Sequence, residues 1–157
     1  MTVETNLAHN PGIQSAQAGQ ATVQRGNYEL SVTQVDDTAE TFRMVRLPAQ
    51  HRIVSVVVEH DDLDTGAAHL IDIGIEDTVQ DPADTTDLTL IAAAATIGQG
   101  PGTTRYETQA MLELPAVNYD RYIVIGVDTA AATAQAGGLA VNLVSRPDLP
   151  THEGNYS

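Results

Sequence analysis

The chain has 157 residues, a formal net charge of −14 and no cysteine, lysine or tryptophan. That length fits a single domain burying roughly 70% of the surface its unfolded form would expose. The missing cysteines exclude disulfides, thiolate nucleophiles and cysteine-rich zinc sites, and 21 acidic residues against seven arginines repel nucleic-acid phosphate. With one Phe and five Tyr, the core must be built from Val, Ile, Leu and Ala.

Residues 1–20 are rich in Ala, Gln, Asn, Gly and Thr with little hydrophobic periodicity. They lack the basic and apolar regions of a secretory signal and read as an extended N-terminal arm. Two accounts fit such an arm: ordinary terminal fraying, or ordering against a neighbouring subunit.

From Ala21 the dominant signal has period two. Ala21–Val35 alternates around Val23, Tyr28, Leu30, Val32 and Val35, with Gly26-Asn27 as a hairpin turn or bulge. Thr41–Leu47 is a strand ended by Pro48. Arg52–Glu59 is β-branched at nearly every position, which suits a central strand. Ala68–Ile75 alternates again, with the charge of Asp72 inside an apolar run. A buried aspartate needs a partner, and Arg43, Arg46, Arg52 and Arg121 are the candidates. Arg46, between Val45 and Leu47, poses the reverse question.

Glu76–Asp87 reads as a polar loop whose Thr-Thr-Asp end is a helix N-cap signal. The four alanines that follow predict a short helix near Leu88–Ile97, terminated by Gly98. Gly98–Gly102 then predicts a loop, Thr103–Leu114 a strand, Pro115–Tyr119 a turn, Asp120–Val127 a buried strand, Ala130–Gly138 a loop and Leu139–Ser145 the last strand. The charge-free runs Leu88–Thr104 and Thr129–Ser145 fall short of a membrane span, and no internal repeat marks a solenoid or propeller. Residues 147–157, with two prolines, read as a C-terminal tail. The expected organisation is an arm over 1–20, a sandwich over 21–146 and a tail over 147–157. The fold class is all-β: an antiparallel β-sandwich of jelly-roll type, with about eight strands, one short helical insertion and extended termini.

His60, Asp61, Asp62, Asp64 and His69 form the densest group of metal-binding residue types. Clustered carboxylates suit a hard cation, and Asp62, Asp64 and Gly66 resemble the first half of a calcium loop. The closing glutamate is missing, the flanks are strands rather than helices, and acidic residues with a glycine are ordinary turn formers. Asp61, Asp62 and Asp64 are the metal candidates on that basis. A cupin-like alternative joins His60 and His69 to Glu59 or Asp72 as two histidines and a carboxylate. Its spacing is unspecific, and His9, His51 and His152 fall in the arm, a turn and the tail. There is no G-x-S-x-G elbow, Gly98–Gly102 has no phosphate-binding lysine, and Glu107 with Glu113 reads as one exposed strand face. No catalytic set and no cofactor site is expected.

The order FRMVRLPAQHRIVSVVVEHDDLDTG followed by LIDIGI resembles small head proteins of tailed bacteriophages. Leu47-Pro48 ends an apolar strand, Ile53–Val58 is the I-V-x-V-V-V strand, Asp61–Gly66 the Asp-rich turn, and Asp72–Gly74 the Asp-x-Gly strand. YIVIGV resembles a late strand of the same domain. The resemblance implies a capsid decoration, or cement, protein: a non-enzymatic virion component on the outside of an icosahedral phage head, present in host cytoplasm during assembly. It implies a homotrimer bound to the major capsid protein, without nucleic-acid or membrane partners. The alternatives are a head completion or tail component, which would form rings, and a glycan-binding adhesion module, which the shortage of aromatics disfavours. A small metal-dependent β-barrel enzyme is the remaining class.

Overall fold

The computed structural model describes residues 2–4, 21–78 and 86–148. Its strands are β1 (Thr2–Glu4), β2 (Thr22–Leu30), β3 (Thr41–Leu47), β4 (His51–Asp62), β5 (Leu70–Asp77), β6 (Asp87–Ala95), β7 (Gln99–Tyr106), β8 (Arg121–Thr129) and β9 (Gly137–Pro147). The described residues also hold two short helices, α1 (Val32–Val35) and α2 (Gln109–Glu113). One sheet has the order β1-β3-β8-β5-β6 and the other β2-β9-β4-β7. Apart from β1, which lies parallel to β3, the pairings are antiparallel. Counting from β2, the first strand lies beside the last in one sheet and the second beside the penultimate in the other, which is jelly-roll winding.

The core between the sheets is aliphatic. Met44, Leu47, Val56, Val58, Ile71, Ile73, Ile75, Ile123, Ile125, Val141 and Leu143 are all buried there. Phe42 is the one large aromatic fully inside among the described residues, and its ring lies 5.3 Å from that of Tyr28. In β3 both Met44 and Val45 are buried because a register shift against β8 between Arg43 and Val45 changes the phase of the alternation. Arg43 and Arg46 therefore share the outer side, paired with Glu76 at 2.7 Å and Asp120 at 3.0 Å. The β-branched run of β4 is central, between β9 and β7.

The helix predicted at Leu88–Ile97 is a strand. There β6 pairs with β5 at Ile71↔Ala95, Ile73↔Ala92 and Ile75↔Asp87, with two register shifts. Gly74 makes this possible, because a Cβ built there would meet the carbonyl oxygen of Asp87 and the backbone of Leu88 at 2.2 Å. Burial of Ile91 and this close backbone contact override the helix propensity of the alanines. Ala94 takes a left-handed φ of +48°, and its amide donates to Asp72 Oδ1 at 2.8 Å. Asp87 acts as a cap of another kind, accepting the Thr89 amide at 2.9 Å.

Three further expectations change. β2 runs through Gly26-Asn27 without a turn, in unbroken register with β9 from Thr22↔Ser145 to Leu30↔Gly137. Its expected continuation is α1, because Ser31 and Gln34 form a capping box and Val35 is buried beneath it. The expected strand Thr103–Leu114 stops at Tyr106, and its remainder is α2, capped by Thr108 and anchored by buried Met111. The start of that strand lies earlier, at Gln99, inside the predicted glycine-rich loop. Glu107 and Glu113 consequently do not share a strand: Glu107 lies in the link after β7 and pairs with Arg105, and Glu113 ends α2 and accepts from Gln109 Nε2 at 2.7 Å.

Of the expected arm, Thr2–Glu4 forms β1, and residues 5–20 lie outside the described residues. At the other end β9 reaches Pro147 and Arg52 holds Asp148 at 2.7 Å, while residues 149–157 lie outside them.

Candidate functional site

The acidic turn lies at one end of the sandwich, where loops from both sheets meet. The end of β4, the loop Leu63–His69, the β6–β7 turn at Gly98 and the β8–β9 loop around Ala132–Gln135 converge there. Gly98 is the hub. Its carbonyl accepts the amides of Leu63 at 2.8 Å and Asp64 at 3.1 Å, and its own amide donates to His60 Nδ1 at 3.1 Å. A φ of +86° and the Leu63 and His69 side chains, 3.1 and 3.2 Å from where a Cβ would stand, explain the glycine.

Asp64 is buried at this centre, with a relative exposure of 1%. Oδ1 accepts the amides of Gly66 and Thr133, each at 2.8 Å. Oδ2 accepts those of Ala68 at 2.7 Å, His69 at 2.9 Å and Ala132 at 3.1 Å. Burial pushes this carboxyl up, and the amides of Thr133, Gly66, Ala68 and Ala132 overcome it, holding the group well below the usual carboxylate range. The Leu63 carbonyl also accepts the Gln135 amide at 2.9 Å. One side chain thus ties the β4–β5 loop to the β8–β9 loop. Gly66 is needed for the approach, since a Cβ there would stand 2.6 Å from that of Ala132.

The other two carboxylates of the turn point elsewhere. Asp61 is exposed and accepts the Gly138 amide at 2.8 Å. Asp62 has a buried Oδ1 without a partner among the described residues. No group of three or more His, Asp or Glu side chains close enough to hold a metal ion occurs among the described residues. The carboxylate that looked most like a calcium ligand spends its oxygens on backbone amides.

The cupin-like set is likewise dispersed. His60 ends on one sheet and His69 precedes a strand of the other, with Gly98 between them. Glu59, the neighbour of His60 in β4, is held by both guanidinium nitrogens of Arg25 at 2.8 and 2.7 Å and by Asn142 at 2.8 Å. The Arg25 hydrogen bond is the main reason its carboxyl lies below the ordinary value. Asp72 is bound to the Ala94 amide, and the four arginines considered for it have other partners. Arg43 takes Glu76, Arg46 takes Asp120 and Arg52 takes Asp148. Arg121 is 1% exposed and donates to the Pro115 carbonyl at 2.8 Å. Burial lowers its pKa, opposed by the charge of Asp77.

A cleft of about 530 Å³ opens on the outer side of the four-stranded sheet, lined by Arg25, Asn27, Glu29, Glu59, Asp61 and Thr103 among others. Its central Arg25–Glu59 pair is already matched, so it presents a polar surface rather than an assembled acid, base and nucleophile. Sequence reasoning missed Gly98, the Ala132–Thr133 amides and the burial of His69, because all three depend on loops distant in the chain. The one local signal was a glycine directly after an apolar residue at Ile97-Gly98, which was read as a helix end.

No protein-family model and no curated protein matches the sequence. Among solved structures, a chain from the capsid of Ralstonia phage GP4 has the same fold, with a TM-score of 0.77 at 24% identity over 94% of this chain and 98% of that one. A chain from the capsid asymmetric unit of cyanophage Pam1 gives 0.65 at 23% identity, over 87% and 99%. A chain from the acid-stable capsid of Helicobacter pylori bacteriophage KHP30 gives 0.51 at 12% identity, over 83% and 94%. The molecule is a jelly-roll β-sandwich whose structural neighbours come from bacteriophage capsids.

Proposed function

We propose that this chain is a non-enzymatic structural protein of a phage virion, a decoration or cement protein bound to the outside of the icosahedral head. The observation carrying this reading is the end-to-end match to a chain of the Ralstonia phage GP4 capsid, which leaves almost nothing of either chain unmatched. The dispersal of the candidate acids and histidines supports a structural role. An excess of 21 acidic over seven basic residues suits a surface facing solvent and shell protein better than packaged DNA.

In this reading homotrimers sit on the major capsid protein, and the expected arm and tail, outside β1 and beyond Asp148, reach onto neighbouring capsomers. The protein waits in host cytoplasm until shells form. Light scattering on the purified chain, with co-sedimentation against shells lacking it, tests the proposal. A trimer that pellets with the shells is expected. A hexameric or dodecameric ring would favour a head completion or tail component, and a chain that leaves the shells bare would overturn the decoration role. Removing residues 1–20 deletes β1 and is expected to abolish shell binding while the eight remaining strands stay folded. Unchanged occupancy would take the arm out of the proposal.

A further inference from the structure

His69 has no role in the reading above, yet its imidazole is a poorly satisfied polar group of the described core. It is fully buried, no side chain among the described residues pairs with either ring nitrogen, and its one polar neighbour is a weak contact with the Thr129 backbone. Its backbone is held on both sides, the amide by Asp64 Oδ2 at 2.9 Å and the carbonyl by Gln99 Nε2 at 2.7 Å. The ring packs on Gly98, 3.2 Å from where a Cβ would lie, so it cannot swing into that turn. A neutral imidazole tolerates such a place with its hydrogen-bonding capacity only partly met, whereas an imidazolium would need water or a carboxylate in contact.

We propose that this corner is an acid-sensitive latch, in which protonation of His69 drives apart the loops that Asp64 and Gly98 hold together. The charged groups acting on the ring are Asp64, from the same loop, and Asp36, which follows α1. Burial is the largest influence and keeps the pKa below the ordinary histidine value, opposed by the hydrogen bond with the Thr129 backbone and by the two carboxylates. Asp64 is in no position to rescue the charge, because its oxygens already serve five amides. His60 faces the same turn from β4. Its Nδ1 accepts the Gly98 amide at 3.1 Å.

With the folded pKa of His69 depressed, its neutral form carries full stability above the unfolded value of 6.5, and stability falls as pH drops below it. A loop end that opens under mild acid follows. It exposes the Leu63 and Ile97 side chains, buried at this end.

The test compares thermal unfolding of the full chain and of His69→Phe between about pH 7.5 and pH 5.5, where imidazole titrates and most carboxylates stay ionised. The wild type is expected to lose about 3–5 °C for each unit of pKa depression, and the variant less than half as much. Equal slopes would overturn the proposal. Should His69→Phe fail to fold, NMR of the unaltered chain decides. The imidazole carbons of His69 are expected to stay neutral-like below the pH at which a free histidine titrates. Protection of the Leu63 and Gln135 amides should then fall as the ring protonates. A ring titrating at the ordinary value, with those amides unaffected, would overturn the latch.

Discussion

The Asp64 carboxylate accepts the amide of Thr133, 69 residues further along the chain, at 2.8 Å. With the Ala132 amide this joins the loop after β4 to the loop before β9, and so one sheet to the other. The carboxylate acts as a substitute strand edge, satisfying amides that no ladder reaches.

Asp64→Asn keeps the size of the side chain but offers one oxygen and a donor to a pocket of five amides. It is expected to lower Tm more than Asp61→Asn or Asp62→Asn. Because the folded pKa lies below the unfolded value of 3.8, the ionised carboxylate stabilises the fold above that value and the contribution disappears as pH falls beneath it. Acid unfolding should therefore be steeper in wild type than in Asp64→Asn, as followed by circular dichroism.

Calcium at about 1 mM, sufficient for weak extracellular-type sites, is expected to leave Tm unchanged and to give no saturable heat by calorimetry. The reason is positional: Asp61 faces Gly138, Asp64 faces its amides, and the two cannot turn to a common ion without releasing the loops. A calcium-dependent rise in Tm would contradict this geometry.

Gly74→Ala places a methyl group 2.2 Å from the backbone of β6, a distance that only movement of that strand relieves. A loss of about 3 kcal/mol is expected in urea unfolding, with the Asp87–Leu88 end of β6 becoming the first part to lose amide protection. Gly100→Ala is the control for position but not for φ: nothing lies within 4 Å of a Cβ there.

The Arg43–Glu76 pair is about a quarter exposed on each side, has two hydrogen bonds, and places Arg43 5.0 Å above the Tyr122 ring. A double-mutant cycle through Arg43→Ala and Glu76→Ala is expected to give a coupling of about 0.5–1 kcal/mol, falling with salt. A coupling near zero would mean the guanidinium is held by the ring alone.

Several strands were legible from residues alone: Thr41–Leu47, the β-branched run of β4, LIDIGI and YIVIGV all lie where the pattern put them, although the register shift in β3 buries Val45 beside Met44 and breaks the alternation there. Failures occurred where tertiary contacts outweigh local preference. The alanines of β6 prefer a helix in isolation, and only the gap above Gly74 and the buried place for Ile91 make them a strand. Val32 and Val35 continued the period of β2, but Ser31 and Gln34 carried a capping box that the alternation obscured. At the acidic turn the sequence offered Asp61, Asp62 and Asp64 as ordinary turn formers or as candidate cation ligands, and the amides of Ala132 and Thr133 that Asp64 accepts leave no trace near residue 64. The partner of Asp72 was sought among arginines and proved to be the Ala94 amide, which exists as a donor only because the chain kinks there.

That kink has a consequence for how copies of the chain meet. β6 and β7 are outermost strands of the two sheets. β6 is interrupted by two register shifts and a left-handed alanine, while β7 holds Pro101, which has no amide hydrogen, beside Gly100 at φ +154°. A second molecule approaching from that side finds no continuous row of donors and acceptors to zip along. Strand-to-strand addition along these two edges is therefore disfavoured, which protects that side of the sandwich from templating fibrils.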